Sequence, residues 1–112
     1  MDPEREYILQ LFLAESQQHL SAVEHALRAF ESNDGSPELL VGAVRGAHTI
    51  NGCAGLLEFP QVADVAHGLE EVLVRLQRHE IVVSADLVTR LRQAVHILRQ
   101  AIPEAVAGAR RG

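Results

Sequence analysis

Apolar residues recur along this chain at the three- and four-residue spacing of helices, in four blocks separated by breaks rich in Pro, Gly and polar residues. The first block reads MDPEREYILQLFLAESQQHLSAVEHALRAFE. Asp2 is placed to cap a helix whose first position is Pro3. Ile8, Leu11, Phe12, Leu20, Val23, Leu27 and Phe30 supply its apolar stripe. SNDGSP ends this pattern, and Ser36 and Pro37 restart it, with Glu38 in the first turn where the helix dipole favours an acid. Leu40, Ala43, Ala47, Ile50, Ala54 and Leu57 then fall within an arc of about 100°. Pro60 stops the second helix and opens the third, striped by Val62, Val65, Leu69, Val72 and Leu76. After RHEIVV, Ser84 caps a fourth, with Leu87, Leu91, Ala94, Val95, Leu98 and Ile102 on its buried side. No strand-like alternation persists, and no internal repeat or low-complexity segment occurs. Connections of about three to six residues make successive helices antiparallel neighbours. The pattern therefore predicts an all-α protein, an antiparallel up-down four-helix bundle over residues 1–103, with 104–112 as a tail or the start of a linker.

Composition narrows the function classes. The net charge of −5 leaves no basic footprint for nucleic acid. The single cysteine, Cys53, excludes an internal disulfide and a Cys-based zinc site, and fits a reducing, cytoplasmic setting. No apolar run approaches the roughly 20 residues of a membrane span, and MDPERE is not a signal peptide. The end, AGARRG, reads as a frayed tail or a cut from a longer chain. Neither a Gly-rich phosphate loop nor a hydrolase serine motif is present, so the chain carries no recognisable ATP site of its own.

The stretch AHTINGCAGLLEF, residues 47–59, interrupts a good helix with Asn51, Gly52 and Gly55, although each interior Gly costs about 1 kcal/mol relative to Ala. His48 lies about 100° round from Ala47, on the flank of the buried stripe, and Asn51, Gly52 and Gly55 share that flank. The two glycines remove side chains at i+4 and i+7, the positions that would cover the ring. In an antiparallel hairpin centred near residue 59, residues whose numbers sum to about 118 sit at one height. His48 is then level with Glu70, and Asn51 with His67. A carboxylate accepting from one ring N–H fixes the tautomer and leaves the other nitrogen as a nucleophile. Plainer alternatives stand beside this one: a solvated surface histidine, an ordinary i,i+3 pair of His67 with Glu70, or glycines that allow close helix packing. A metal held by His48, His67 and Glu70 would lack a dense ligand motif such as H-E-x-x-H. His19, His25, His79 and His96 read as surface residues, and Cys53 points away from both stripe and flank.

The same stretch resembles the signature of histidine-containing phosphotransfer (HPt) domains, roughly H-x-x-K-G-x-[SA]-x-x-L-G, at His48, Gly52, Ala54 and Leu57. FLAESQQHLSAVEHALRAFE is similar to that family's first helix. VADVAHGLEEVLVRLQ and VSADLVTRLRQAVHIL are similar to the third and fourth helices of the N-terminal domain of chemotaxis-type histidine kinases, those controlling type IV pili among them. The resemblance implies that His48 takes a phosphoryl group from ATP held by a separate kinase catalytic domain. It then passes the group to an aspartate on a response regulator receiver domain. Glu70 would orient the imidazole and His67 would lie close by, with Gly52 leaving room for the partner. ATP and Mg²⁺ would sit on the partner domains, leaving this one without a cofactor, a metal, a nucleic acid or a membrane contact of its own. It would be a phosphoryl carrier within a larger kinase and not a self-sufficient enzyme. Two positions depart from the family pattern: Asn51 stands where Lys is usual, and Glu58 where Gly is usual. They sustain the alternative of an HPt-like bundle that docks proteins without phosphotransfer.

Overall fold

The computed structural model describes residues 2–32 and 36–112, which form four helices: α1 (Pro3–Glu31), α2 (Pro37–Leu56), α3 (Pro60–Gln77) and α4 (Ala85–Arg111). Met1 and residues 33–35 of the SNDGSP break lie outside the described residues. α1 packs on α2 and α4, and α3 packs on the same two helices, so α1 and α3 are diagonal, as are α2 and α4. This is the up-down bundle that the short connections predict.

The helix starts follow from local chemistry. Asp2 accepts from the backbone N–H of Glu4 at 3.1 Å, and Ser84 from that of Leu87 at 3.1 Å. Ser36 occupies the N-cap of α2, but its hydroxyl donates to Glu38 at 2.8 Å. That bond, helped by a backbone N–H, holds the Glu38 carboxyl below its ordinary range.

The buried face of α1 differs from the expected stripe. Leu9, Phe12, Ser16, Leu20, Val23, Ala26 and Leu27 are buried, while Ile8 and Leu11 are exposed. The true stripe runs through a serine. Its hydroxyl donates to the Phe12 carbonyl at 2.6 Å, so a polar side chain sits in the core with its proton satisfied. In α3 and α4 the core is Val62, Ala66, Leu69, Leu73 and Leu76 against Val88, Leu91, Val95, Leu98, Ile102 and Val106. Val65, Val72, Leu87 and Ala94 flank it half-buried.

α4 does not end at Pro103. The proline removes one intrahelical hydrogen bond, yet the helix continues to Arg111 with Val106 buried. Residues 104–111, expected as a tail or the start of a linker, are the last two turns of α4. α1 and α4, at 29 and 27 residues, outlast α2 and α3, at 20 and 18. Their ends pack on each other, tied by Arg110 to Glu6 at 2.8 Å. At the other end of the pair Arg92 binds Glu31, and midway Arg99 binds Glu24. His19 is likewise not a surface residue. It is half-buried against Gly46, with Nε2 enclosed and without a partner. Cys53 is half-buried against the core.

α2 and α3 end in the same way. Phe59 N–H donates to the Ala54 carbonyl at 2.8 Å and Glu58 N–H to that of Gly55 at 3.2 Å; Glu80 and His79 repeat the pair on Arg75 and Leu76 at 2.9 and 3.1 Å. Each is a Schellman ending, which needs a left-handed residue at its fifth position. Glu58 (φ 62°) and His79 (φ 58°) occupy those positions, where a Cβ is strained and glycine is not. The cost of Glu58 is therefore one of backbone conformation more than of charge at the helix end. Glu58→Gly is expected to stabilise the fold by about 1 kcal/mol, read as a higher urea midpoint at unchanged slope. A lower midpoint would show that the Glu58 side chain contributes more than its backbone strain costs.

Candidate functional site

The three-residue turn between α2 and α3 fixes which side chains meet across the hairpin. His48 Nδ1 lies 2.7 Å from Glu70 Oε2, from a ring whose side chain is 71% exposed to a carboxylate that is 19% exposed. A carboxylate accepts, so the contact selects the tautomer with the proton on Nδ1, and in the neutral imidazole that leaves the lone pair on Nε2. The imidazole stands at the solvent face, and the acid that orients it stands in the wall of the bundle. Along the helices the pair opens into a groove of about 540 Å³ between α2 and α3, which Asn51 and His67 also line.

His67 is in the groove but does not pair with Glu70 or, by any hydrogen bond, with His48. Its Nε2 meets Glu71 Oε1, one turn on, at 2.9 Å. The pair is a solvated i,i+4 contact, both side chains being well exposed. Asn51 is half-buried, and its side chain forms no hydrogen bond among the described residues. No group of three His, Cys, Asp or Glu side chains with metal-binding geometry occurs among the described residues.

The glycines separate into two kinds. A Cβ built on Gly52 or Gly55 meets nothing within 4 Å, so neither is required by packing within this chain. Gly46 is the packing glycine: a Cβ there would lie 3.1 Å from His19 Cβ and 3.3 Å from its backbone oxygen. The face of α2 around His48 is thus bare where Gly52 and Gly55 stand, while its α1 side is tightly fitted.

Sequence reasoning missed the rest of the groove wall. Glu71, Val74 and Arg75 extend it along α3 from His67 at i+4, i+7 and i+8, and Arg78 and Glu80 close it just past the end of that helix. That spacing is legible as one helical face, but it carries no motif that singles it out.

An exposed, carboxylate-paired histidine on the second helix of an up-down bundle defines a class of histidine phosphotransfer bundles, and comparison with known proteins identifies the family. The Hpt domain family model matches residues 8–101, and the chain belongs to that family. It is similar to the chemotaxis protein CheA of Halobacterium salinarum, 27% identical over 96 residues that make up 86% of this chain and 14% of that protein. It is also similar to CheA of Listeria monocytogenes, 33% identical over 81 residues, 72% of this chain and 13% of that protein. The chain thus spans about a seventh of the length of these relatives. The CheA phosphotransferase domain from Thermotoga maritima superposes with a TM-score of 0.80 at 28% identity, covering 90% of this chain and 96% of that one. A computationally redesigned four-helix bundle, 17% identical with a TM-score of 0.79, shares the fold.

Proposed function

We propose that this chain is the phosphotransfer domain of a CheA-like kinase of the chemotaxis type, the type IV pilus branch included, working in the cytoplasm where ATP is held. The observation that carries the reading is the 2.7 Å contact between His48 Nδ1 and Glu70. With that nitrogen committed, the lone pair on Nε2 attacks the γ-phosphorus of ATP seated on a kinase catalytic domain. The bond to the β–γ bridging oxygen breaks and ADP leaves. The ring then holds a proton on Nδ1 and phosphorus on Nε2, a cation whose charge Glu70 offsets. In the second transfer a receiver aspartate oxygen attacks phosphorus, the N–P bond breaks, and its electron pair returns to Nε2. The chain supplies the nucleophile and its orientation; nucleotide and Mg²⁺ belong to the partners.

The docking-module alternative rests on Asn51 and Glu58. Glu58 lies at a turn, lining a separate hollow with Pro60 and Glu104, so it bears on stability and not on the ring. Asn51 remains. Beside the largely exposed His48 ring, a missing lysine charge weakens phosphoryl stabilisation by about 1 kcal/mol or less, which slows transfer by at most about ten-fold.

The test is incubation with a chemotaxis-type kinase core and ATP. Acid-labile, base-stable phosphate that a receiver domain then removes is the expected result; a protein that binds the kinase without labelling would favour the docking module. Glu70→Ala removes a hydrogen bond to a charged group worth about 1.5 kcal/mol or more. It is expected to slow labelling by about ten-fold with the helical circular dichroism unchanged. Labelling at the wild-type rate would show that the contact does not orient the nucleophile.

A further inference from the structure

The proposed relay puts on His48 Nε2 a phosphoryl group of about two negative charges. The α3 side of the ring offers that group no cation. Glu70 stands 2.7 Å from the other ring nitrogen, and Glu71 and Glu80 also line the groove. Arg75 lies five residues beyond Glu70, about 7 Å along the helix axis and about 140° round it. Arg78 stands past the end of α3. Asn51, one turn past His48, is neutral. The chain has no lysine, so a cation for the phosphoryl group must be one of its ten arginines. Four of them are held by carboxylates. The contact of Gly46 with His19 sets His48 level with the middle of α1. Arg5 and Arg28, near the two ends of α1, are therefore about 16 Å or more away along the axis. Arg111 ends α4, the helix diagonal to α2.

Position singles out Arg45. It is the only arginine of α2 and stands three residues before His48. At that spacing two helical Cβ atoms are about 5–6 Å apart. Helical side chains lean toward the N-terminus, so the imidazole projects over the turn that carries Arg45. Arg45 is exposed, and its guanidinium makes no hydrogen bond or salt bridge among the described residues. Its neighbours at three and four residues on either side are Val41, Gly42, His48 and Thr49, none of them an acid. No carboxylate on its own helix is placed to hold it. We propose, resting on that relay, that Arg45 binds the phosphoryl group carried by His48. Its planar guanidinium donates two N–H bonds to phosphoryl oxygens once the N–P bond has formed. Glu70 then acts on Nδ1 from α3, while Arg45 acts on the transferred group from α2 itself.

The experiment needs no partner protein. Wild type, Arg45→Gln, Arg45→Lys and Arg75→Gln are loaded with phosphoramidate. Nε2 attacks phosphorus, the P–N bond of the reagent breaks and ammonia leaves. Each loaded protein is then titrated by phosphorus NMR. A guanidinium against the phosphoryl oxygens favours the dianion. The last phosphoryl proton should therefore leave wild type at a pH about half a unit below that of Arg45→Gln. Arg45→Lys keeps the charge and should lie nearer to wild type. Arg75→Gln, an equal loss of charge in the groove wall, should titrate like wild type. Loading of Arg45→Gln should be slower by about three- to five-fold, with the urea midpoint unchanged because the side chain is exposed. Equal phosphoryl midpoints in wild type and Arg45→Gln would overturn the proposal, even if loading slowed. So would a shift in Arg75→Gln as large as that in Arg45→Gln, which would place the cation on α3. A wild-type protein that takes no phosphate from phosphoramidate would refute the relay itself, and the role of Arg45 with it.

Discussion

His48→Gln leaves the protein without acid-labile phosphate after incubation with kinase and ATP, while its helical circular dichroism and urea midpoint stay at wild-type values. The loss should be complete, because a carboxamide has no nucleophilic lone pair to replace that of Nε2. Stability should hold because the His48 side chain is largely exposed and a glutamine N–H can still donate to Glu70, so the partly buried acid is not orphaned. The rival acceptor is His67, the other histidine with a carboxylate partner. Its ring is engaged through Nε2, and the partner is an exposed side chain on its own helix. Only Nδ1, the more hindered nitrogen beside the Cβ, stays free. His19 has its Nε2 enclosed. His25, His79 and His96 are exposed, and none has a carboxylate within salt-bridge distance among the described residues. Full labelling of the variant would refute the assignment; weak residual labelling that disappears in His48→Gln/His67→Gln would place a second acceptor in the same groove.

The site was legible because a tight turn turns sequence number into height. With three residues between α2 and α3, counting across the hairpin puts Glu70 opposite His48, and the two are in contact. The same count puts His67 opposite Asn51, and both line the groove, but counting cannot tell which carboxylate a flexible imidazole takes. His67 takes Glu71 because the i+4 neighbour on its own helix is in reach. Where a feature depends on the separation of helices, sequence was silent: the enclosed His19 and the close approach at Gly46 arise from the α1–α2 contact alone. The face of α1 was misread near Ile8 and Leu11 because Ser16 interrupts the apolar pattern at a core position. The Schellman endings were hidden because Glu58 and His79 stand where glycine would advertise the left-handed turn. The last two turns of α4 looked like a tail because Pro103 punctuates the helix without ending it.

Gly52 and Gly46 lie six residues apart on α2 and are expected to respond in opposite ways. Gly52→Gln places a better helix former where a Cβ meets nothing, so the fold should gain up to about 1 kcal/mol. Its long side chain stands one turn beyond His48, on the face a partner must cover to reach Nε2. Phosphotransfer to a receiver should fall ten-fold or more, about 1.4 kcal/mol or more of barrier. Stability and activity then move apart, as expected for a residue kept for access. Gly46→Ala has the same helical gain available, but the new methyl must displace the His19 backbone oxygen and Cβ, which a packed helix pair resists. Overpacking of this kind costs about 1–3 kcal/mol, so the urea midpoint should drop. Transfer per folded molecule should change little, because Gly46 lies on the α1 side of α2, away from the groove. Should Gly52→Gln lower the midpoint by as much as Gly46→Ala, Gly52 is a packing glycine like Gly46 and not one kept for access. Should it leave transfer at the wild-type rate, the receiver reaches His48 from the α3 side alone, and Gly52 has no part in its docking.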